Sequence, residues 1–387
     1  MSEDTEIKRP QFGARQLKDG ESALKHNCWD NVEWEPELLE AAQEKIKKQS
    51  EKRIPDEAKE HLQRDTGNRW DKFYGYHQNR FFKDRHWLFT EFPELAGTPK
   101  PETPERVFPA NSGKLSEESS VSKDSEVECQ PESSAKESEN VTKDSESEHV
   151  PNYVKCENDN KSKVEEQSVE TGVESLTLQN KKEEVTDKTE KSQRLILEIG
   201  CGVGNTIFPI LEYNIDPNIF IYGCDFSTNA IDILKSNPEY DSKRCHAFVC
   251  DITADDWKAP FPKNSLDTST LIFVLSAIHP QKMSHVIRQL YDHMRPGGLV
   301  LFRDYGRYDM AQLRFKPGQM MEDNFYVRSD GTFVYFFTQE EVTKLFTEAG
   351  FQEEMIYTDR RMQVNRLRQL KMYRVWVQAK YRKPLES

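Results

Sequence analysis

Leu195-Ile196-Leu197-Glu198-Ile199-Gly200-Cys201-Gly202-Val203-Gly204-Asn205-Thr206-Ile207-Phe208-Pro209-Ile210-Leu211 reads as a strand, a glycine turn and the opening of a helix. Leu195, Ile196, Leu197 and Ile199 form the short apolar run of a strand buried on both faces. Glycine at 200, 202 and 204 lets the chain turn sharply and approach a ligand with its backbone, and Asn205 to Leu211 continues as a helix. Taken alone, such a loop is either a structural turn or a nucleotide-cofactor site at the mouth of a doubly wound α/β sheet. The following chain favours the site, because strand and helix patterns alternate from Arg194 onward. Strands are expected at Ile219–Cys224, Ala247–Cys250, Leu266–Leu275, Leu299–Phe302 and Phe333–Phe337. Helices are expected at Gln281–Met294 and Glu340–Ala349, and Met372–Ala379 as a last strand antiparallel to Phe333–Phe337.

The cofactor can be narrowed. A dinucleotide fingerprint needs glycine at 205, where Asn205 stands, and no P-loop string occurs. The E-x-G-x-G-x-G pattern from Glu198 to Gly204 resembles the first motif of the S-adenosylmethionine-dependent methyltransferases. A sulfonium cofactor without phosphate needs room beside the backbone, and Glu198 is placed to help hold its cationic methionine end. Asp225 closes the second strand where such folds bind ribose hydroxyls. Asp251 closes the third, placed to accept from an adenine amino group. Any one of these is an ordinary strand-end residue; carboxylates at three successive strand tips form a set.

The chain has 387 residues, 35% hydrophobic and 31% charged, which is poor in apolar residues for a fully globular protein. Its net charge of -13 is unevenly spread. Ser112 to Ser192 holds 11 basic against 21 acidic residues, so the low pI belongs to one segment and does not argue against a nucleic-acid partner elsewhere. Residues 99–192 are rich in serine, glutamate and lysine and cannot bury enough surface to offset ordering entropy. They are expected to be a disordered acidic linker between an amino-terminal region, 1–98, and a sheet domain, 193–387. Seven cysteines without C-x-x-C spacing argue for reduced thiols and against a metal site. The start is acidic, without an apolar leader, and no stretch approaches the ~20 apolar residues of a membrane span. The expected location is cytoplasmic.

Residues 1–98 carry a charged helix at Pro36–Gln49 and a second helical stretch from about Pro55 to Phe82. Trp70 and Tyr74, four apart, share a face with Phe73 and His77 beside them. That face is either core against the sheet domain or a lid over the cofactor. The following run, from Asn79-Arg80-Phe81-Phe82-Lys83-Asp84-Arg85-His86 to Phe89, interleaves cations with rings. It suits an RNA, whose phosphates meet cations and whose unpaired bases stack on rings, or equally a loop with buried aromatics and solvated charges. The tail from Arg360 to Lys383 has nine cations and no acid, favouring contact with a phosphate backbone.

Amine methylases usually place an acidic or Asn residue, Pro-Pro and an aromatic after the fourth strand. Here Leu275-Ser276-Ala277-Ile278-His279-Pro280 stands instead, and no Pro-Cys pair exists for attack on pyrimidine carbon five. What remains is direct attack by a ring nitrogen lone pair, which depends on positioning. Phe82–Phe92, Glu198–Phe208, Leu271–Ala277, Arg303–Phe315 and Gln363–Gln378 resemble strings of the eukaryotic tRNA 3-methylcytidine methyltransferases, in their methyltransferase-like 2 branch. The resemblance covers both regions flanking the acidic linker.

The resemblance implies a class I S-adenosylmethionine-dependent methyltransferase fold: Rossmann-like α/β, with a seven-stranded, mostly parallel sheet, an antiparallel last strand, and a helical amino-terminal region. The implied reaction forms 3-methylcytidine at position 32 of the anticodon loop of threonine and arginine tRNAs. Implied cofactor contacts are Trp70, Tyr74, Gly200, Asp225, Asp251 and Leu271, joining Glu198, Gly202 and Gly204 of the motif, so the lid reading is favoured. Phe81, Arg85, His86, Arg303, Asp304, Tyr305 and Arg307 are implied near the target nucleotide, with Asp304 and Tyr305 as candidates to stabilise developing charge. Arg80, Lys83, Arg366 and Arg368 complete the expected RNA contacts. A protein adaptor for tRNA choice is plausible, and a monomer is expected. The rivals are a methyltransferase for proteins or small molecules and a non-catalytic RNA-binding scaffold.

Overall fold

Charged side chains seldom fill a sheet interior unless they are paired, so the strands of this chain fall into two kinds. The computed structural model describes residues 15–17, 22–97 and 193–385; the expected linker lies outside the described residues. The amino-terminal part contains β1 (Cys28–Trp29), α1 (Pro36–Ser50), α2 (Asp56–Arg64), α3 (Thr66–His77) and α4 (Leu88–Glu91). The sheet domain runs β2 (Arg194–Ile199), α5 (Ile207–Tyr213), β3 (Ile219–Asp225), α6 (Thr228–Lys235), β4 (Cys245–Val249), β5 (Leu266–Ile272), α7 (Pro280–His293) and β6 (Met294–Tyr305). It continues with α8 (Met310–Leu313), β7 (Met320–Glu322), β8 (Phe325–Val327), β9 (Phe333–Tyr335), α9 (Gln339–Glu348), β10 (Gln352–Asn365) and β11 (Leu370–Arg382).

The main sheet has the order β1-β10-β11-β6-β5-β2-β3-β4. Neighbours from β6 to β4 are parallel, whereas β11 runs antiparallel to both β6 and β10. Chain order reverses at β2, between β3 and β5, which places a crevice beside the glycine loop. β2 is the apolar kind of strand, with Ile196, Leu197 and Ile199 all fully buried between helical layers.

Three expectations are corrected. The Pro55–Phe82 helix is two helices, broken between Arg64 and Thr66 and stopped at His77, where Gln78 takes a left-handed φ of 55°. Phe333–Phe337 is not a strand of the main sheet, although the Phe337 amide donates to the Tyr305 carbonyl at the end of β6; its first residues form β9, which pairs antiparallel with β8 in a separate three-stranded sheet. The partner of β11 is instead β10, and the main sheet counts eight strands because β1 adds to its edge. β10 escaped notice because its interior carries Asp359 and Arg361, which are buried in one ion-pair network with each other, Glu91, Asp30 and Arg303.

The amino-terminal helices pack directly on the sheet domain. Gln49 of α1 donates to the carbonyls of Gln312 and Phe315 and accepts from the Tyr326 hydroxyl. Asp71 of α3 accepts from the Ser227 hydroxyl at 2.5 Å and the Asn229 amide at 3.2 Å, fixing α3 across the start of α6.

Candidate active site

The loop after β2 turns because Gly200, Gly202 and Gly204 hold φ values of 63°, 51° and 95°, a region costly for residues with a Cβ. Close approach forbids a side chain as well: a Cβ on Gly202 would lie 2.6 Å from the Tyr74 Oη. Tyr74 of α3 therefore lies over the glycine loop, and it is buried with Phe73, Val203 and Ala230, with Trp70 beside them. The face carrying Trp70 and Tyr74 packs on the loop, an arrangement shared by the core and lid alternatives.

Two carboxylates flank the loop. Asp225 Oδ2 accepts from the Gly202 amide and Oδ1 from the Ser227 amide, both at 3.0 Å; burial nevertheless lifts its pKa to about 6. Glu198 is only 1% exposed, and neither of its oxygens has a hydrogen-bond partner. Burial raises its pKa to about 7, against the opposing pull of Arg85, whose Nη1 stands 3.6 Å from Oε1. An orphaned buried carboxylate beside a glycine cradle fits the ammonium end of S-adenosylmethionine. Asp251 is exposed at the next strand end, with Oδ1 accepting from Thr253. The Leu271 side chain is sealed in the main core and offers only its backbone to the crevice.

The cation–aromatic run forms a strap across the same loop. The Arg85 amide donates to the Asn205 carbonyl at 2.8 Å, and Asn205 Nδ2 donates to the Asp84 carboxylate and the Phe82 carbonyl. Arg85 Nη1 also donates to the Thr206 hydroxyl at 3.0 Å. Asn205, the residue that breaks the dinucleotide fingerprint, is thus what ties strap to cofactor loop. Arg85 further lies 5.9 Å over the Phe273 ring, which faces Tyr305 at 5.1 Å; Arg328 lies 5.9 Å over Tyr305. Phe273 holds a φ of 58°, uncommon for a bulky residue and the reason β5 ends short of Leu275. Sequence reasoning missed Asp71, Asn205, Phe273 and Arg328; Asn205 alone left a signal, as the anomaly in the glycine pattern.

Other expected RNA and substrate residues are placed as follows. Arg80, Lys83 and His86 are exposed along the strap, while Phe81 packs on Phe73, His77 and Phe82. Arg307 is exposed over the Tyr308 ring. Arg303 is corrected to an interior role: 3% exposed, it stacks between Trp87 and Trp376 and pairs with Asp359 at 2.6 Å. Asp304 is fully buried, with Oδ2 accepting from the Ser276 amide and Oδ1 from the Tyr305 amide, so it positions the turn after β5. Burial lifts its pKa to about 6.

The basic tail divides. Arg361 is buried among Glu91, Asp359 and Asp30, and Arg374 pairs with Asp309. Lys380 pairs with Glu94 and Arg382 with Glu354. Arg360, Arg366, Arg368 and Lys371 stay exposed on the β10–β11 hairpin and near its tip, where the chain turns at Gln369 with a φ of 53°.

Residues 197–300 match a family model described as a methyltransferase domain. The chain is 44% identical over 96% of its length, and 88% of the relative's, to tRNA N(3)-methylcytidine methyltransferase Mettl2 of Drosophila melanogaster. The chain belongs to the tRNA N(3)-cytidine methyltransferase family. Human METTL2B is 45% identical over 98% of the chain and 95% of its own. The tRNA(Thr) (cytosine(32)-N(3))-methyltransferase of Saccharomyces cerevisiae is 34% identical over 97% of the chain, which spans 46% of that longer protein. The matched residues hold the glycine loop and the class I methyltransferase sheet described above. Among the described residues no cluster of metal-ligating side chains occurs, and no helix is long and apolar enough to cross a membrane.

Proposed function

We propose that the protein transfers a methyl group from S-adenosylmethionine to N3 of cytidine 32 in the anticodon loop of threonine and arginine tRNAs. The observation that carries this reading is the strap: Phe82–Arg85 is bonded to the glycine loop through Asn205, and Arg85 lies over the Phe273 ring, which faces Tyr305. A base flipped from its loop would stack on those rings with its edge turned toward the loop. When bound, the cofactor supplies an electrophilic methyl carbon.

N3 of cytidine already bears a lone pair, so these residues need to orient rather than abstract a proton. The methylated ring is cationic, and the faces of Phe273 and Tyr305 are suited to it, while the Tyr74 lid excludes water. Glu198 holds the ammonium end and Gly202 leaves room for the backbone approach. Exposed cations on the strap and the hairpin tip would follow the RNA backbone. The linker, 99–192, serves as a passive tether in this reading, the protein works in the cytoplasm as a monomer, and an adaptor selects among tRNAs.

The test is nucleoside mass spectrometry of unmodified tRNA-Thr incubated with purified protein and S-adenosylmethionine. Appearance of 3-methylcytidine is expected. Its absence, with cofactor bound and with a tRNA carrying its other modifications also refused, sinks the reading.

A further inference from the structure

Arg85 stands between two sites that each have use for its charge. On one side its Nη1 is 3.6 Å from the otherwise unpartnered carboxylate of Glu198 and donates to Thr206. On the other its guanidinium lies over Phe273, one of the rings proposed to stack on the target base. Its side chain is 15% exposed, so it is neither locked in the core nor free in solvent. The backbone of Arg85 is fixed by Asn205, which leaves rotation of the side chain as the available movement.

We propose that Arg85 is a counter-ion shared between Glu198 and RNA, so that a cationic cofactor end arriving at Glu198 releases it and tightens RNA binding. This rests on the tRNA methyltransferase reading. Without a cofactor, turning Arg85 toward RNA strips a buried carboxylate of the one cation paired with it among the described residues, and RNA binding carries that cost. With an ammonium group at Glu198 the carboxylate is compensated from the other side, and the two cations repel. Arg85 then turns outward at little cost and meets a phosphate or base edge. The two ligands become positively coupled, each tightening the other by the same factor.

The coupling is read by fluorescence anisotropy of a labelled tRNA-Thr anticodon stem-loop on the full chain. RNA affinity is compared without ligand, with S-adenosylhomocysteine, and with methylthioadenosine, calorimetry confirming saturation. S-adenosylhomocysteine keeps the ammonium end but has no net charge, so it does not attract RNA merely by being cationic. Methylthioadenosine fills the adenosine half only. S-adenosylhomocysteine is expected to tighten RNA binding at least about fivefold, and methylthioadenosine to leave it within about twofold. Arg85→Gln abolishes the difference, and Arg85→Lys, which keeps the charge, retains part of it. Equal tightening by both ligands, tightening that survives in Arg85→Gln, or none in the wild type overturns the proposal. Failure to bind RNA in every state, with no 3-methylcytidine formed, overturns the tRNA reading as well; lost coupling in a protein that still binds and methylates RNA overturns the proposal alone.

Discussion

Cofactor affinity should fall on mild acidification, because Glu198 must be ionised to hold an ammonium group. Its pKa rises from an ordinary 4.5 to about 7, chiefly by burial, with Arg85 opposing; Asp225 on the neighbouring strand adds to the rise. A pKa raised in the folded state means that the native protein binds more protons than the unfolded chain between these values. Apo stability therefore falls as pH climbs through that window, by roughly 3 kcal/mol for this one group. Cofactor binding has the opposite sense. A carboxylate with a pKa of about 7 is mostly ionised at pH 8 and about one-tenth ionised at pH 6, so affinity should drop about tenfold across that range. Toward pH 6 the slope steepens, because Asp225, at about 6, is half protonated there. Calorimetric titration of S-adenosylhomocysteine, with thermal melts of the apo protein over the same pH series, reads both signs. Glu198→Gln should bind more weakly with an affinity nearly flat from pH 8 to 6, and its apo form should be the more stable at pH 8. A pH-independent wild type, or the full tenfold drop surviving in Glu198→Gln, would refute the reasoning.

Other outcomes follow from the same geometry. Arg361→Met removes the guanidinium shared by Glu91, Asp359 and Asp30, leaving Arg303 beside the first two; denaturant unfolding should show a loss of roughly 3–5 kcal/mol, and a loss below about 1 would mean the network is solvated. Gly202→Ala adds left-handed strain and a clash with the Tyr74 Oη, so cofactor affinity should fall at least about tenfold and recover in part with Tyr74→Phe. Reversing the exposed hairpin cations with Arg366→Glu and Arg368→Glu should weaken tRNA binding and lower its salt dependence, leaving S-adenosylhomocysteine affinity unchanged in calorimetry. Removing residues 112–190 should leave methylation of free tRNA largely intact in the nucleoside assay, and a large loss would give the linker a role beyond tethering.

Local rules made much of this protein legible in its sequence. The apolar β2 run, the alternating glycines and the carboxylates at strand tips each depend on neighbours a few positions away, so strand, loop and cofactor class could be read directly. The pairing of Trp70 with Tyr74 was equally local, because residues four apart on a helix share a face. Charge was where reading the sequence failed. Arg303, Asp304, Arg361 and Asp359 look like surface residues until their partners, from Glu91 to Gln378, are brought to them by the β6–β11–β10 ladder. A charged residue counts as surface or interior according to whether a counter-charge meets it, and those partners lie tens to hundreds of positions away. The same holds for Arg85: its place in a cation–aromatic run suggested RNA, and only the folded chain sets it beside Glu198. Spacing along the chain thus determined the parallel half of the sheet, its glycine loop and the cofactor class, whereas long-range ion pairing decided which charges remain exposed.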